Sequence, residues 1–475
     1  MMREELLDSR RRLSEIFQPF FMLRSNSLLI KGLPGTGKTT LALSLLSSMG
    51  VKGLYISTRV SYSDLINQFP WAKDVLTEES VVNMNPFDVS SKVSIVSDLR
   101  LASALTLLEK IINSSIHLKD GLIILDSFDA LTQAISSEER NKILKSIIAI
   151  ADANNNMIVF ISEKPEDLEL GYICDGIISL TYTIKNGFKL RKMNIEKLRG
   201  VKVDCPVLPF SLDDGFFHVI NPLQNRCLLP TNDSKLFEPK ESIEGYISTG
   251  NKQLDRILGN GIKQGSVVLL EVGDVNRQVL AYFLACIVLN ALRSKRPAIT
   301  ISSSERPYKS ILRYLQSFCT REEINDYYTL FIFEKKSNSG DEPYLANELT
   351  DDIIDNERIF MSKYDEIMSR HGKSPVITYD LRWREMSAKE RVDELISKII
   401  VGIRKVRSNG CVEIIINTPH MTSYEFSKQA ADIHIKLVEE DGIPLFIITR
   451  PYKGIYMFLF DNSKGYPYYR LIQMI

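Results

Sequence analysis

The residues most able to do chemistry lie between positions 28 and 46, which read LLIKGLPGTGKTTLALSLL. Gly32-Leu33-Pro34-Gly35-Thr36-Gly37-Lys38-Thr39 fits the phosphate-binding pattern G-x-x-x-x-G-K-[ST] in the context that pattern requires. An apolar strand (Leu28, Leu29, Ile30) precedes it, and a helix-forming run beginning with Thr39 and Thr40 follows. Glycines let successive backbone N–H groups turn inward around phosphate oxygens, and the helix adds its positive N-terminal end. Lys38 supplies a point charge for the β- and γ-phosphates, and the Thr39 hydroxyl suits Mg²⁺, a hard cation. The competing reading is a glycine-rich turn that binds nothing. The two flanks favour a nucleoside triphosphate, ATP or GTP.

A second chemical group stands at Gly121-Leu122-Ile123-Ile124-Leu125-Asp126-Ser127. Four apolar residues ending in an aspartate describe a buried parallel strand with a carboxylate at its C-terminal edge, where open α/β sheets bind ligands. Asp126 is the candidate Mg²⁺ ligand, directly or through water. The alternative is an aspartate that caps the next helix. A third group is Lys197-Leu198-Arg199-Gly200, at the end of alternating sequence folded about Asn186-Gly187, a strong hairpin signal. These cations either face water or are presented to a phosphate on a neighbouring subunit, in the manner of an arginine finger.

Such groups need elements to hold them. At 475 residues the chain has room for two or more domains. Its 44% hydrophobic and 25% charged residues are ordinary for a globular protein. Lys+Arg and Asp+Glu both number 59, so net charge gives no global case for nucleic acid or an anionic membrane. Six scattered cysteines without a C-x-x-C pair fit reduced thiols in a cytoplasmic protein, and five scattered histidines suggest no metal site of their own. The N-terminus carries acids among its bases and does not read as a signal peptide. No run reaches the ~18 apolar residues of a membrane span.

Along the first half, residues 3–22 read as an amphipathic helix with a solvated Arg10-Arg11-Arg12 cluster. Strands follow at 28–30, 53–57, 122–126 and 157–161, separated by helices near 39–46, 62–69, 97–116 and 138–153. Alternating strands and helices imply a mostly parallel sheet covered on both faces.

The ordered set of the glycine-rich loop, the LIILDS strand, Ile161-Ser162-Glu163, Cys174-Asp175-Gly176-Ile177-Ile178-Ser179-Leu180, Lys197-Leu198-Arg199-Gly200, Pro209-Phe210 and Asp214-Gly215 resembles RecA-like ATPases of the KaiC/RadA group. Within that group the chain looks most like two-domain archaeal GvpD-type proteins, named for a gas-vesicle regulator. The resemblance implies ATP and Mg²⁺ as cofactors and a homo-oligomer in which Lys197 and Arg199 act in trans at a neighbour's nucleotide site. It also implies a regulatory protein partner. One departure stands out. The family carries one or two glutamates just after the second strand, where a carboxylate orients the attacking water, and this chain has Thr58 and Arg59 there. A water-positioning acid contributes about 10²–10⁴-fold. Slow hydrolysis is therefore expected unless Glu163 or Asp129 substitutes.

The second half resembles a degenerate copy. After a polar linker at 226–244, Ile247-Ser248-Thr249-Gly250 through Gly261-Ile262 and Gly265 to Glu271 resemble the opening of another KaiC/RadA domain. The next residues, Val272-Gly273-Asp274-Val275-Asn276-Arg277, contain no G-K-[ST]. Glu305 and Asp380 stand where the water-orienting and Mg²⁺-binding acids would be, Val412–Ile416 matches the strand before Glu163, and 444–450 with Lys453 reads as the closing hairpin. Residues 325–370 read as an acidic, solvated insertion. The expected architecture is α/β: two tandem RecA-like domains, 1–225 with the loop intact and 245–475 without it.

Three functions follow: an ATP-binding regulatory ATPase with slow Mg²⁺-dependent hydrolysis, a DNA-binding recombinase-like ATPase, and an autokinase with acceptors at Ser302-Ser303-Ser304. The charge balance disfavours DNA. The lost second loop and the missing acid favour regulation.

Overall fold

The computed structural model describes the chain except residues 1, 24–26, 58–59, 84–107, 110, 116–117, 133–135, 167, 186–187, 232–233, 303–304, 333–344, 349–351 and 452–453. It forms two compact units, Met1–Gln224 with Met474–Ile475, and Asn225–Gln473.

The first unit is built on nine strands: β1 (Ser27–Lys31), β2 (Gly53–Ser57), β3 (Val81–Asn83), β4 (Leu122–Asp126), β5 (Met157–Ser162), β6 (Gly176–Lys185), β7 (Phe188–Leu198), β8 (Val207–Ser211) and β9 (His218–Val219). Their order is β3-β2-β4-β5-β1-β6-β7-β8-β9. The first six in that order pair in parallel and the last four form an antiparallel ribbon. Ile124, Val159 and Ile30 point into one apolar cluster, while Ile123, Ile158 and Leu29 point into another on the opposite face. Strands buried on both faces read as continuous apolar runs, which is why β1, β4 and β5 are visible in sequence. The N-terminal helix Met2–Met22 buries Leu13, Phe17 and Phe20. Arg11 and Arg12 of its basic cluster pair with Asp8 one turn back. Of the helix expected over 97–116, residues 108–109 and 111–115 are helical and the rest lies outside the described residues.

The second unit opens with the pair β10 (Tyr246–Ile247) and β11 (Ile262–Lys263). Its main sheet contains β12 (Val267–Val272), β13 (Ala298–Ser302), β14 (Tyr328–Ile332), β15 (Leu345–Glu348), β16 (Val376–Asp380), β17 (Val412–Asn417), β18 (Ile433–Glu440), β19 (Ile443–Arg450), β20 (Gly454–Phe460) and β21 (Tyr469–Gln473). The order is β15-β14-β13-β16-β17-β12-β18-β19-β20-β21. With β12 in the place of β1, this repeats the first sheet strand for strand and adds β15 at one edge. Two α/β sheets of RecA-like order thus follow one another in the chain.

Two stretches differ from the sequence reading. Residues 226–244, expected as a linker, pack on the second unit: Phe237 is fully buried, its N–H donates to the Phe318 carbonyl at 2.9 Å, and Arg293 Nε donates to its carbonyl at 2.9 Å. Residues 325–370, expected as a solvated insertion, include the buried strand β14 and the helix Ile353–His371, which buries Ile353, Tyr364 and Ile367. Acidic residues are interspersed among the apolar ones there and hide the core face. Lys453 lies outside the described residues, whereas 444–450 is in β19 as expected.

Candidate functional site

The loop Gly32–Gly37 leaves the C-terminal end of β1 and enters the helix Lys38–Met49. Gly32, Gly35 and Gly37 all have positive φ, at 154°, 76° and 100°. A Cβ at Gly32 would sit 2.5 Å from the Leu180 carbonyl oxygen, and one at Gly37 would sit 2.9 Å from the Leu212 side chain. Gly32 therefore needs glycine for space as well as conformation, and Gly37 needs it for conformation. Thr36 ties the turn, its Oγ1 donating to the Leu33 carbonyl at 2.8 Å, while Leu33 itself is exposed at the rim with Pro34 and Gly35. Lys38 is buried, and its Nζ donates to the carbonyls of Gly32 at 2.7 Å and Leu33 at 3.0 Å. The ammonium is thus held across the loop it would share with phosphates. Thr40 is buried in the helix's first turn.

Strand β4 brings Asp126 to the same edge. Its Oδ2 accepts from Thr39 Oγ1 at 2.6 Å and from Tyr55 OH at 2.7 Å. Tyr55 is fully buried in β2, and its phenol pKa is raised well above the ordinary value by burial first and then by the Asp126 charge. It therefore stays protonated and donates. The pairing of Thr39 with Asp126, 87 residues apart, gathers a hydroxyl and a carboxylate into the all-oxygen donor set that Mg²⁺ prefers. The loop, the lysine and this oxygen pair fit a Mg²⁺–nucleotide.

Two acids stand near the loop. Asp129 is committed: Oδ2 accepts from Ser162 Oγ at 2.7 Å and the Glu163 N–H at 2.8 Å, and Oδ1 lies 3.3 Å from Arg140. Glu163 follows β5, beside the strand that carries Asp126. Thr58 and Arg59 lie outside the described residues.

Lys197 and Arg199 are not brought to Lys38. The register pairs Leu198 with Gly176, and Gly176 with Leu28 near the start of β1, so both cations stand toward the opposite edge of the sheet from the loop. Lys197 Nζ donates to the Cys174 carbonyl at 2.6 Å, and Arg199 pairs with Asp175 at 2.9 Å with its head largely exposed. The cation that does reach the loop is Arg191, in the β6–β7 ribbon. Its NH1 donates to the Gly35 carbonyl at 3.0 Å and its Nε to that of Ile475 at 2.7 Å. Nothing in the sequence separates Arg191 from Lys189 and Lys192 beside it. Tyr55 reads equally well as plain core.

In the second unit the corresponding edge is closed by internal partners. Only Gly273–Asn276 separate β12 from the helix Arg277–Arg293. The Gly273 N–H donates to Leu437, and the Asn276 N–H donates to the Glu439 carboxylate at 3.3 Å. A carboxylate thus takes an amide that a phosphate would need. Asp380, at the end of β16, is held by a two-pronged contact from Arg382 at 2.9 and 2.8 Å. Glu271 accepts from Tyr424 at 2.5 Å and His434 at 2.8 Å and lies 3.2 Å from Lys436. Burial pushes its pKa up, but these three contacts outweigh burial and bring it to about 2. The Glu305 side chain lies outside the described residues, as do Ser303 and Ser304.

Among the described residues no helix is long and apolar enough to cross a membrane, and no group of three or more His, Cys, Asp or Glu is placed to hold a metal ion.

The strand order, with a glycine-rich loop after β1, gives the first unit a RecA-like fold. A family model described as the ATPase KaiC matches residues 13–224, nearly all of that unit. Protein GvpD2 of Halobacterium salinarum is 27% identical over 291 residues, covering 59% of this chain and 58% of that protein. Protein GvpD1 of the same organism is 26% identical over 303 residues, covering 61% and 56%. The first unit is thus similar to the KaiC ATPase domain and the chain is similar to the GvpD proteins, of whose length its match spans less than two thirds.

Proposed function

We propose that this chain is a regulatory ATPase in which ATP with Mg²⁺, bound in the first unit, controls conformation, assembly or the binding of a protein partner, and in which hydrolysis is slow. The observation that carries this reading is the asymmetry between the units. Lys38, Thr39 and Asp126 converge on one open glycine-rich loop, while Glu439 and Arg382 fill the equivalent positions of the other. Nucleotide controls a switch only by binding its states unequally, and one site per chain suffices for that.

In the assignment of roles, backbone amides of residues 32–37 and Lys38 bind the phosphates. Thr39 and Asp126 hold the Mg²⁺, which supplies charge neutralisation when bound. Slow turnover is supported by the commitment of Asp129 to Arg140 and by Thr58 and Arg59 at the expected acid position. Glu163 is the acid assigned to orient water. The opposite-edge position of Lys197 and Arg199 supports a role in trans, because a neighbour stacked edge to edge would receive them at its own loop.

The test is sedimentation and steady-state ATPase of the wild type beside Lys38→Ala, with ATP, ADP and no nucleotide. We expect a nucleotide-dependent shift in sedimentation, lost in the variant, with slow Mg²⁺-dependent turnover. Identical profiles in all three states would overturn the switch, and turnover of many per second would overturn slow hydrolysis. Mixing Lys38→Ala with the Lys197→Ala/Arg199→Ala double variant tests the trans role, since each chain then supplies what the other lacks. Activity that does not recover on mixing rejects it.

A further inference from the structure

The second unit contains a glutamate with no assigned task. Glu413 lies in β17, between β12 and β16 in the middle of the sheet. It is 7% exposed, and its Oε2 is buried without a hydrogen-bond partner. A carboxylate at the centre of a sheet is costly to bury unless something compensates it. Glu413 faces a cleft of about 110 Å³ between the sheet and the helices Ile353–His371 and Val392–Ser408. The body of the cleft is apolar, walled by Ile301, Phe360, Ile377, Leu395 and Ile399.

The other polar groups at the cleft have employment. Lys398 pairs with Glu357 at 3.0 Å. Arg384 hydrogen-bonds Tyr379. Glu413 is left as the acceptor aimed into an apolar space. A group that fills the space and satisfies the carboxylate must combine an N–H donor, preferably charged, with a compact hydrocarbon body.

We propose that this cleft binds a small organic cation, a protonated primary amine on a branched or aromatic body of about five to eight heavy atoms, with Glu413 as its counter-charge. The site is separate from the loop at Gly32–Thr39 and does not depend on nucleotide being bound there. It gives the unit that lacks a phosphate loop a ligand of its own.

Burial raises the Glu413 pKa from 4.5 to about 7. The carboxylate is therefore mostly protonated near pH 6 and mostly ionised near pH 8, and affinity for an ammonium ion rises roughly tenfold across that interval. Of the other titratable groups around the cleft, Tyr379 and Cys411 are shifted upward, mainly by burial, and stay neutral there. Glu357 and Lys398 offset one another, and Arg384 hydrogen-bonds Tyr379.

The test is a saturation-transfer NMR titration of the full chain with isoamylamine and its neutral counterpart isoamyl alcohol. We expect saturable amine binding at least about tenfold tighter than alcohol binding at about pH 8, and weaker at about pH 6. Glu413→Gln removes the preference for the amine while leaving the alcohol unaffected. That variant keeps the shape and removes a buried charge, so its melting temperature should not fall. Gly402 lines the same cleft and a Cβ there meets no atom within 4 Å, so Gly402→Leu fills the space and abolishes binding of both probes. Equal binding of the two probes, unchanged amine affinity in Glu413→Gln, or no saturable binding to the wild type would each overturn the proposal, the last leaving Glu413 as a buried acid satisfied by water.

Discussion

The two units run the same strand order and differ at one edge of the sheet. In the first, the strand β1 ends in a glycine-rich loop whose lysine and threonine converge with Asp126. In the second, β12 ends in a four-residue turn whose Gly273 and Asn276 amides are already bonded and whose neighbouring carboxylate, Asp380, is neutralised by Arg382. Glu271 stands at the end of β12 where Lys31 ends β1, each of them paired: Lys31 with Glu196, Glu271 with His434 and Lys436. The lesson is that the sheet and the site are independently specified. Two-faced burial of β12, β16 and β17 preserves the architecture, while a few edge residues decide whether it offers acceptors and donors to a ligand or to itself.

The largest expected effect tests whether that asymmetry extends to binding. Lys38→Ala removes a charged donor from the loop, and hydrogen bonds to charged groups contribute about 1.5–3 kcal/mol, so nucleotide affinity should fall about 10- to 100-fold. Arg277→Ala, at the nearest basic position in the second unit, should leave it unchanged. Titration with a fluorescent ATP analogue compares the two. A comparable loss in Arg277→Ala would mean that the second unit also binds nucleotide and would erase the contrast.

The paired aspartates give a smaller and qualitatively divided effect. Asp126→Asn should raise the Mg²⁺ needed for nucleotide binding about tenfold while barely moving thermal stability, because Thr39 and Tyr55 can still donate to an amide oxygen. Asp380→Asn should leave Mg²⁺ dependence alone and destabilise the fold by about 1–3 kcal/mol, because Arg382 loses its carboxylate in a part-buried setting. Thermal melts and Mg²⁺ titrations on both variants measure this. Equal Mg²⁺ effects in the two would contradict the reading of Asp380 as an internal ion-pair partner.

Which of these contrasts could be read from sequence follows a physical line. Strands buried on both faces announce themselves by composition, and the loop announces itself because phosphate binding demands glycine, lysine and threonine in fixed order. What stayed hidden depends on a partner distant in sequence. Tyr55 resembles any core aromatic until β2 is laid beside β4, and Arg191 resembles any hairpin cation until the ribbon reaches Gly35. Phe237 and β14 were obscured differently, since both sit among polar residues whose abundance says nothing about which single face turns inward.

Tyr55 gives the smallest and most discriminating test. By register it lies opposite Ile124, two residues before Asp126. The matching residue of the second unit is Thr300, opposite Thr378, two residues before Asp380. Thr300 accepts from the Thr378 hydroxyl at 2.9 Å, whereas Tyr55 reaches along its strand to the carboxylate itself. Tyr55→Phe keeps the ring in the core and deletes only the hydroxyl. One of the two donors that orient Asp126 Oδ2 then disappears, a loss of about 1 kcal/mol. The Mg²⁺ concentration for half-maximal nucleotide binding should rise about fivefold, which is that energy expressed as a ratio. Thr300→Val, which removes the equivalent polar contact in the second unit, should not change it. If Tyr55→Phe also leaves the Mg²⁺ requirement unchanged, the phenol is packing alone, and Asp126 is positioned by Thr39 without help from β2.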